Sequence, residues 1–130
     1  MIQRLVGSEM CIRDRSICYD LRFPNLYRKL TKKGAQFFSI PAAFTFTTGK
    51  AHWHSLIRAR AIENGCFVFA PAQCGVHDNG RRTYGHSMIV NPWGKILVEA
   101  NKNKKQIIST IINIDEIGHS RKKIPSMTQF

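Results

Sequence analysis

Cys18 is the residue best equipped to do chemistry, and its neighbours indicate which kind. Ser16-Ile17-Cys18 ends a short apolar run, and Tyr19-Asp20-Leu21-Arg22-Phe23-Pro24 follows at once. A buried strand would close on Ser-Ile-Cys. Pro24 would then open a helix, because its missing N–H is one that the first turn leaves unpaired anyway. A thiol at such a strand-to-helix bend projects past the end of the sheet, near the partial positive charge of the helix start. That setting favours thiolate, the nucleophilic form of cysteine. The plain alternative is a small buried hydrophobe, the usual fate of a lone cysteine.

A projecting thiol needs elements to hold it, and the chain supplies an alternating series. Residues 24–33 read as a helix closed by Gly34, and residues 35–41 as a buried strand. Residues 42–50 form a Thr-rich polar loop. Residues 51–64 read as a second helix, with Trp53, Leu56, Ile57 and Ile62 near helical spacing and Gly65 as its stop. Residues 66–70 read as a third strand. This order predicts parallel pairing with right-handed crossovers. Beyond it, residues 73–84 read as a loop rich in Gly, Asp and Asn. Residues 85–90 and 95–99 read as strands joined through Asn91-Pro-Trp-Gly94. Partial alternation predicts a strand over 107–114, and Asp115 is placed to cap a last helix running to Lys123.

Ligands of open α/β sheets collect beyond the carboxyl ends of the strands. Three loops meet there, which gathers Tyr19, Asp20, Arg22, Phe44, Thr45 and His77 around Cys18 as candidate substrate-binding residues. Asp20 and Arg22, two apart, face one way only if the chain there is extended. They either shape the pocket and hold a substrate carboxylate, or form an ion pair that fixes the bend.

The stretch Ser16-Ile-Cys-Tyr-Asp-Leu-Arg-Phe-Pro-Asn-Leu-Tyr-Arg28 resembles the nucleophile motif of the carbon–nitrogen hydrolase (nitrilase) superfamily, most closely its Nit-type branch of deaminated-glutathione amidases and omega-amidases. Further segments follow in that branch's order and spacing. They are Pro41-Ala-Ala-Phe-Thr45, Thr48-Gly49, Ala51-His-Trp-His-Ser-Leu-Ile-Arg-Ala-Arg-Ala-Ile-Glu-Asn64, Ala70-Pro-Ala-Gln73, Tyr84-Gly-His-Ser-Met-Ile-Val-Asn-Pro-Trp-Gly94 and Arg121-Lys-Lys-Ile-Pro-Ser126. The resemblance implies the C-terminal half of an α-β-β-α sandwich that dimerises into a four-layered assembly. It also implies a cofactor-free hydrolase of small carboxylate-bearing amides that works through a Cys18 thioester, with the Tyr19 N–H helping to hold the oxyanion. The family's general-base glutamate and oxyanion lysine lie upstream of the nucleophile. Here no lysine precedes Cys18, and the only upstream acids are Glu9 and Asp14. The chain as given is therefore expected to be an inactive fragment. The competing reading is a degenerate homologue that only folds or associates. His54 stands where many relatives carry glutamate, and it stays open between a polar group reaching the site and a helix-surface histidine. Arg58, Arg60 and Glu63 lie on one helix and read as an intrahelical or interface salt bridge, and His86 reads as structural.

Residues 1–15 lack any sustained apolar period and resemble translated sequencing adapter. The domain is therefore expected to run from 16 to 130 as a partial carbon–nitrogen hydrolase domain, with a natural irregular lead-in as the alternative. The 130 residues carry a formal net charge of +12 and are 43% hydrophobic. The cations cluster near helix and chain ends without interleaved aromatics, so no nucleic-acid partner is expected. No apolar run approaches the ~20 residues of a membrane helix. The four cysteines show no zinc or redox spacing, which suits a cytoplasmic protein. The five histidines form no sequence-level ligand cluster, so no metal is expected.

Overall fold

Two phenylalanine-rich runs, thirty residues apart, build the centre of the sheet. Phe37–Ser39 (β2) and Phe67–Ala70 (β3) pair in parallel, Phe37 against Phe67 and Ser39 against Phe69. The computed structural model describes residues 13–15, 18–76, 80, 82–101 and 105–126. Arg13–Arg15 (β1) pairs in parallel with β2. Met88–Val90 (β6) and Ile96–Glu99 (β7) complete a five-stranded sheet in the order β1-β2-β3-β6-β7, with both later pairings antiparallel. The first strand thus lies at 13–15, inside the segment assigned to the lead-in, rather than closing on Cys18.

Alternation along these strands sorts the core onto two faces. Phe38, Ile40, Val68, Ala70, Met88 and Val90 face one way, beneath Tyr27 and Leu30 of Pro24–Lys32 (α1) and Trp53, Ile57 and Ala61 in and just before His54–Asn64 (α3). Phe37 and Phe67 face the other way, stacked with ring centroids 5.7 Å apart, under Ile117 of Asp115–Lys123 (α4). The glycine stops behave as read. Gly65 ends α3 in the left-handed conformation at φ 59°, which an L side chain adopts only with strain.

Four further expectations differ from the structure. The Thr-rich loop is partly helical: Phe46–Thr48 (α2) runs through a π turn, Gly49–Trp53, into α3. The Thr45 hydroxyl starts it, accepting from the Thr48 N–H at 3.4 Å. The Gly/Asp/Asn-rich loop contains a hairpin, Cys74–Val76 (β4) against Arg82–Tyr84 (β5). Residues 107–114 form no strand, and Ile107 and Ile111 are 98% and 96% exposed. Alternation marks a face, but a strand also needs a neighbour to pair with, and β7 pairs with β6. Asp115 is the first helical residue rather than the cap, and its N–H is taken by the Asn113 side chain at 3.0 Å.

Candidate active site

The nucleophile candidate begins a 3-10 turn, Cys18–Arg22, six residues ahead of α1 rather than at its start. Its backbone sits at φ 33°, a conformation that non-glycine residues rarely take and that clusters at functional sites. Two bonds hold the turn in place. The Cys18 N–H donates to the Pro41 carbonyl at 2.9 Å, tying the turn to the end of β2. The buried Arg60 guanidinium, on α3, donates from Nε to the Leu21 carbonyl at 2.9 Å and keeps its other end on Glu63 at 3.1 Å.

Cys18 opens onto a cavity of about 520 Å³ lined also by Pro41, Ala42, Ala43, Pro71, Ala72, Gln73 and Ser87. Its floor is the continuation of β2 and β3, where Ala42 bridges Ala72 in parallel. The Ser87 hydroxyl closes one side, accepting from the Ala72 N–H at 2.8 Å. The cavity thus lies beyond the carboxyl ends of the parallel strands, as the strand order predicts. Most of its lining was not foreseen. The available signal was the recurrence of Pro-Ala at Pro41-Ala42 and Pro71-Ala72, at the same offset as the register of the two strands.

The other expected site residues scatter over three neighbourhoods. Tyr19, Arg22 and Phe44 come together beside the Cys18 turn. The Arg22 guanidinium lies 5.1 Å over the Phe44 ring and 6.0 Å from the Tyr19 ring, with one nitrogen 3.2 Å from His52 Nδ1. Arg22 thus engages His52 and two rings, and Asp20 sits half-buried in the same turn. Thr45 serves as the cap of α2, its hydroxyl 2.6 Å from that of Thr48. His54 turns away from the cavity: its Nε2 meets Glu99 Oε2 at 2.8 Å, and His86 Nδ1 meets the same oxygen at 2.8 Å. Burial pushes the Glu99 carboxyl up, but the hydrogen bonds and charge of the two histidines outweigh it and hold Glu99 below its ordinary value. The histidines form no ligand cluster along the sequence, but in space two of them meet one carboxylate. These three residues lie far apart in sequence and converge only once β6, β7 and α3 are packed. His77 lies outside the described residues.

Cys66 and Cys74 are free thiols like Cys18, but neither lines the cavity. Cys66 is buried under α1 and α4, and burial pushes its thiol up despite the Arg121 guanidinium 3.3 Å away.

Comparison with known proteins identifies the family and the fold. The family model described as carbon-nitrogen hydrolase matches residues 6–122. A deaminated glutathione amidase of Synechocystis sp. is 52% identical over 112 residues, which is 86% of this chain and 41% of that protein. The chain therefore spans about two fifths of that relative's length. The crystal structure of Saccharomyces cerevisiae Nit3, of branch 10 of the nitrilase superfamily, superposes with a TM-score of 0.83 at 36% identity, over 90% of this chain and 43% of that one. A mutant amidase from Nesterenkonia sp. AN1, caught after Michael addition of acrylamide at its active-site cysteine, superposes with a TM-score of 0.63 at 32% identity, over 70% of this chain and 35% of that one. The fold is that of the nitrilase superfamily, and the chain belongs to the carbon-nitrogen hydrolase family.

Proposed function

We propose that Cys18 is the nucleophile of an amidase acting on small carboxylate-bearing amides. The observation that carries this reading is the strained Cys18 backbone at the mouth of a cavity beyond β2 and β3. The Cys18 sulfur attacks the amide carbon while its proton passes to a carboxylate base. The Tyr19 N–H stabilises the resulting oxyanion. The C–N bond then breaks, the proton returns to the departing nitrogen, and ammonia or an amine leaves a thioester. Attack by water releases the acid and restores the thiol. Arg22, seated over Phe44, is the cation placed to receive a substrate carboxylate.

The base glutamate and the oxyanion lysine belong, on this reading, to sequence ahead of Ser16, since no lysine precedes Cys18 here. The 130 residues alone are then a nucleophile-bearing half that does not turn over. The same proposal covers the boundary at Ser16: residues 1–15 are a foreign lead-in, and β1 joins the sheet through backbone pairing, which depends little on side-chain identity. It also covers homodimerisation of the longer protein, and a reducing compartment such as the cytoplasm, which suits the three free thiols among the described residues.

Two assays test this reading. Acrylamide treatment followed by peptide mass spectrometry should label Cys18 well ahead of Cys66. Ammonia release from small ω-amides should be absent for the 130-residue chain. It should be present when a glutamate- and lysine-bearing upstream half is restored, and be lost again in Cys18→Ala. General acid–base help is worth ~10²–10⁴-fold and an oxyanion donor ~10²–10³-fold. Turnover by the chain alone would therefore sink the division of labour. Activity surviving Cys18→Ala would sink the nucleophile. The second reading, an association module without catalysis, draws on the exposed Ile107 and Ile111.

A further inference from the structure

His54, His86 and Glu99 gather outside the Cys18 cavity, on the wall of a separate open cleft of about 760 Å³ that His86 and Glu99 line with Tyr84 and Lys50. One donor atom from each, His54 Nε2, His86 Nδ1 and Glu99 Oε2, lies within 4.8 Å of the other two. Each histidine nitrogen already stands 2.8 Å from the same carboxylate oxygen. Ligand atoms around a tetrahedral zinc-class ion are about 3.3 Å apart, from metal–ligand bonds of ~2.0 Å. The two 2.8 Å contacts to Glu99 need to open by only about 0.5 Å to reach that spacing.

The scaffold holds these donors before any ion arrives. His54 is the first residue of α3, and Glu99 ends β7 opposite Met88. His86 is fixed at φ 61°, and its carbonyl accepts the Trp53 indole N–H at 2.9 Å. The Tyr84 ring stacks on His86 with centroids 4.1 Å apart and meets His54 edge-on at 5.9 Å, so both imidazoles have a common wall.

We propose that His54, His86 and Glu99 form a binding site for a divalent first-row transition metal of the zinc class. Two imidazoles and one carboxylate suit such an ion and leave one position open. That position faces the cleft, where water or a small anion beside Lys50 completes the coordination. Binding requires the ring protons now aimed at Glu99 to move to the opposite ring nitrogens, His54 Nδ1 and His86 Nε2, or to solvent if a ring is charged. His86 adjoins Ser87, which lines the Cys18 cavity, so a bound ion stiffens one wall of that cavity without touching the thiol. The site stands on its own geometry and is independent of the role given to Cys18.

The test is titration of tag-free, metal-stripped protein with cobalt(II), followed by visible absorption, with zinc as competitor. The expected result is one ion per chain with the d–d band of a four-coordinate nitrogen and oxygen site, bleached by zinc. His54→Gln, His86→Asn and Glu99→Gln should each weaken uptake by at least about tenfold, a cost that losing even an outer-shell partner can reach. Asparagine tolerates the left-handed backbone at position 86. Circular dichroism reports whether each variant folds, and His54→Gln with Glu99→Gln suffice if His86→Asn does not. Absence of the band, a thiolate-to-cobalt transition in its place, or unchanged uptake in His54→Gln and Glu99→Gln would each overturn the proposal.

Discussion

At the scale of single residues, the three described cysteines separate by surroundings. Cys18 lies at a cavity mouth, whereas Cys66 is sealed between strand and helices with Thr31, Arg121 and the Ala35 carbonyl around it. Burial raises the Cys66 pKa above its ordinary 9.0, and the Arg121 guanidinium only partly offsets this. The sign of the linkage follows. Below pH 9 the thiol is neutral in both folded and unfolded chains, and its contribution is complete. Above that value the unfolded chain loses its proton first, so stability falls as pH rises towards the native value, by at most about 1.4 kcal/mol per pH unit. Urea unfolding of the parent and of Cys66→Ala between pH 8 and 10 should show the stability gap between them shrinking above pH 9. A constant gap would mean that the folded thiol titrates normally. At this scale Cys18 was legible because it stands in a dense local motif. Arg22 was half legible, since its charge was plain but its partner, His52, comes from thirty residues away. The link of His54 to Glu99 spans forty-five residues, and no local pattern encodes it.

At the scale of elements, the helices and central strands were readable because their signals are local: Pro24 at a start, Gly34 and Gly65 at stops, Phe-rich runs between. The misreadings share one cause, which is that a neighbour decided the outcome. The segment 42–50 became helical where Gly49 passes so close to the Tyr84 side chain that a Cβ would collide with it. The hairpin β4–β5 formed over that same helical turn, with Thr45 bridging Thr83. The N-terminal edge strand gives the element-scale prediction. If the lead-in is foreign to the domain, deleting residues 1–12, which leaves β1, should shift the unfolding free energy by less than about 0.5 kcal/mol. Deleting residues 1–15 uncovers the edge of β2 and should cost about 2 kcal/mol more. Chemical denaturation of the two truncations measures both. Equal stability of the pair would show that β1 contributes nothing to the sheet.

At the scale of the molecule, one sheet face is well covered by α1 and α3, while the second relies on α4 and residues 105–114. That segment leaves Ile107 and Ile111 almost wholly in water, and Ile114 and Ile124 are exposed as well. Apolar exposure of this kind favours association, while a net charge of +12 opposes it through repulsion. The balance makes the expected behaviour salt-dependent. Sedimentation velocity should show larger species at 500 mM salt than at 50 mM, because a Debye length of a few ångströms removes the repulsion and leaves the apolar term. Ile107→Lys with Ile111→Lys should return the chain to monomer. A monodisperse monomer at high salt and high concentration would contradict this. The overall architecture was legible because seven motifs occur in one order, and order over a hundred residues carries topology that no motif carries singly. The exposed isoleucines were not, since an alternating pattern announces a buried face without naming what buries it.

The bond from Arg60 to the Leu21 carbonyl has a consequence for how the molecule breathes. It fastens the Cys18–Arg22 turn to the middle of α3, while the Cys18 amide is fastened to the Pro41 carbonyl just past β2. A turn pinned at both ends to rigid elements does not fray by itself. Its opening must wait for a fluctuation that loosens the helix or the strand, so the three belong to one cooperative unfolding unit. In heavy water the Cys18 amide should lose its proton on the slow clock of α3, although it sits at the rim of an open cavity.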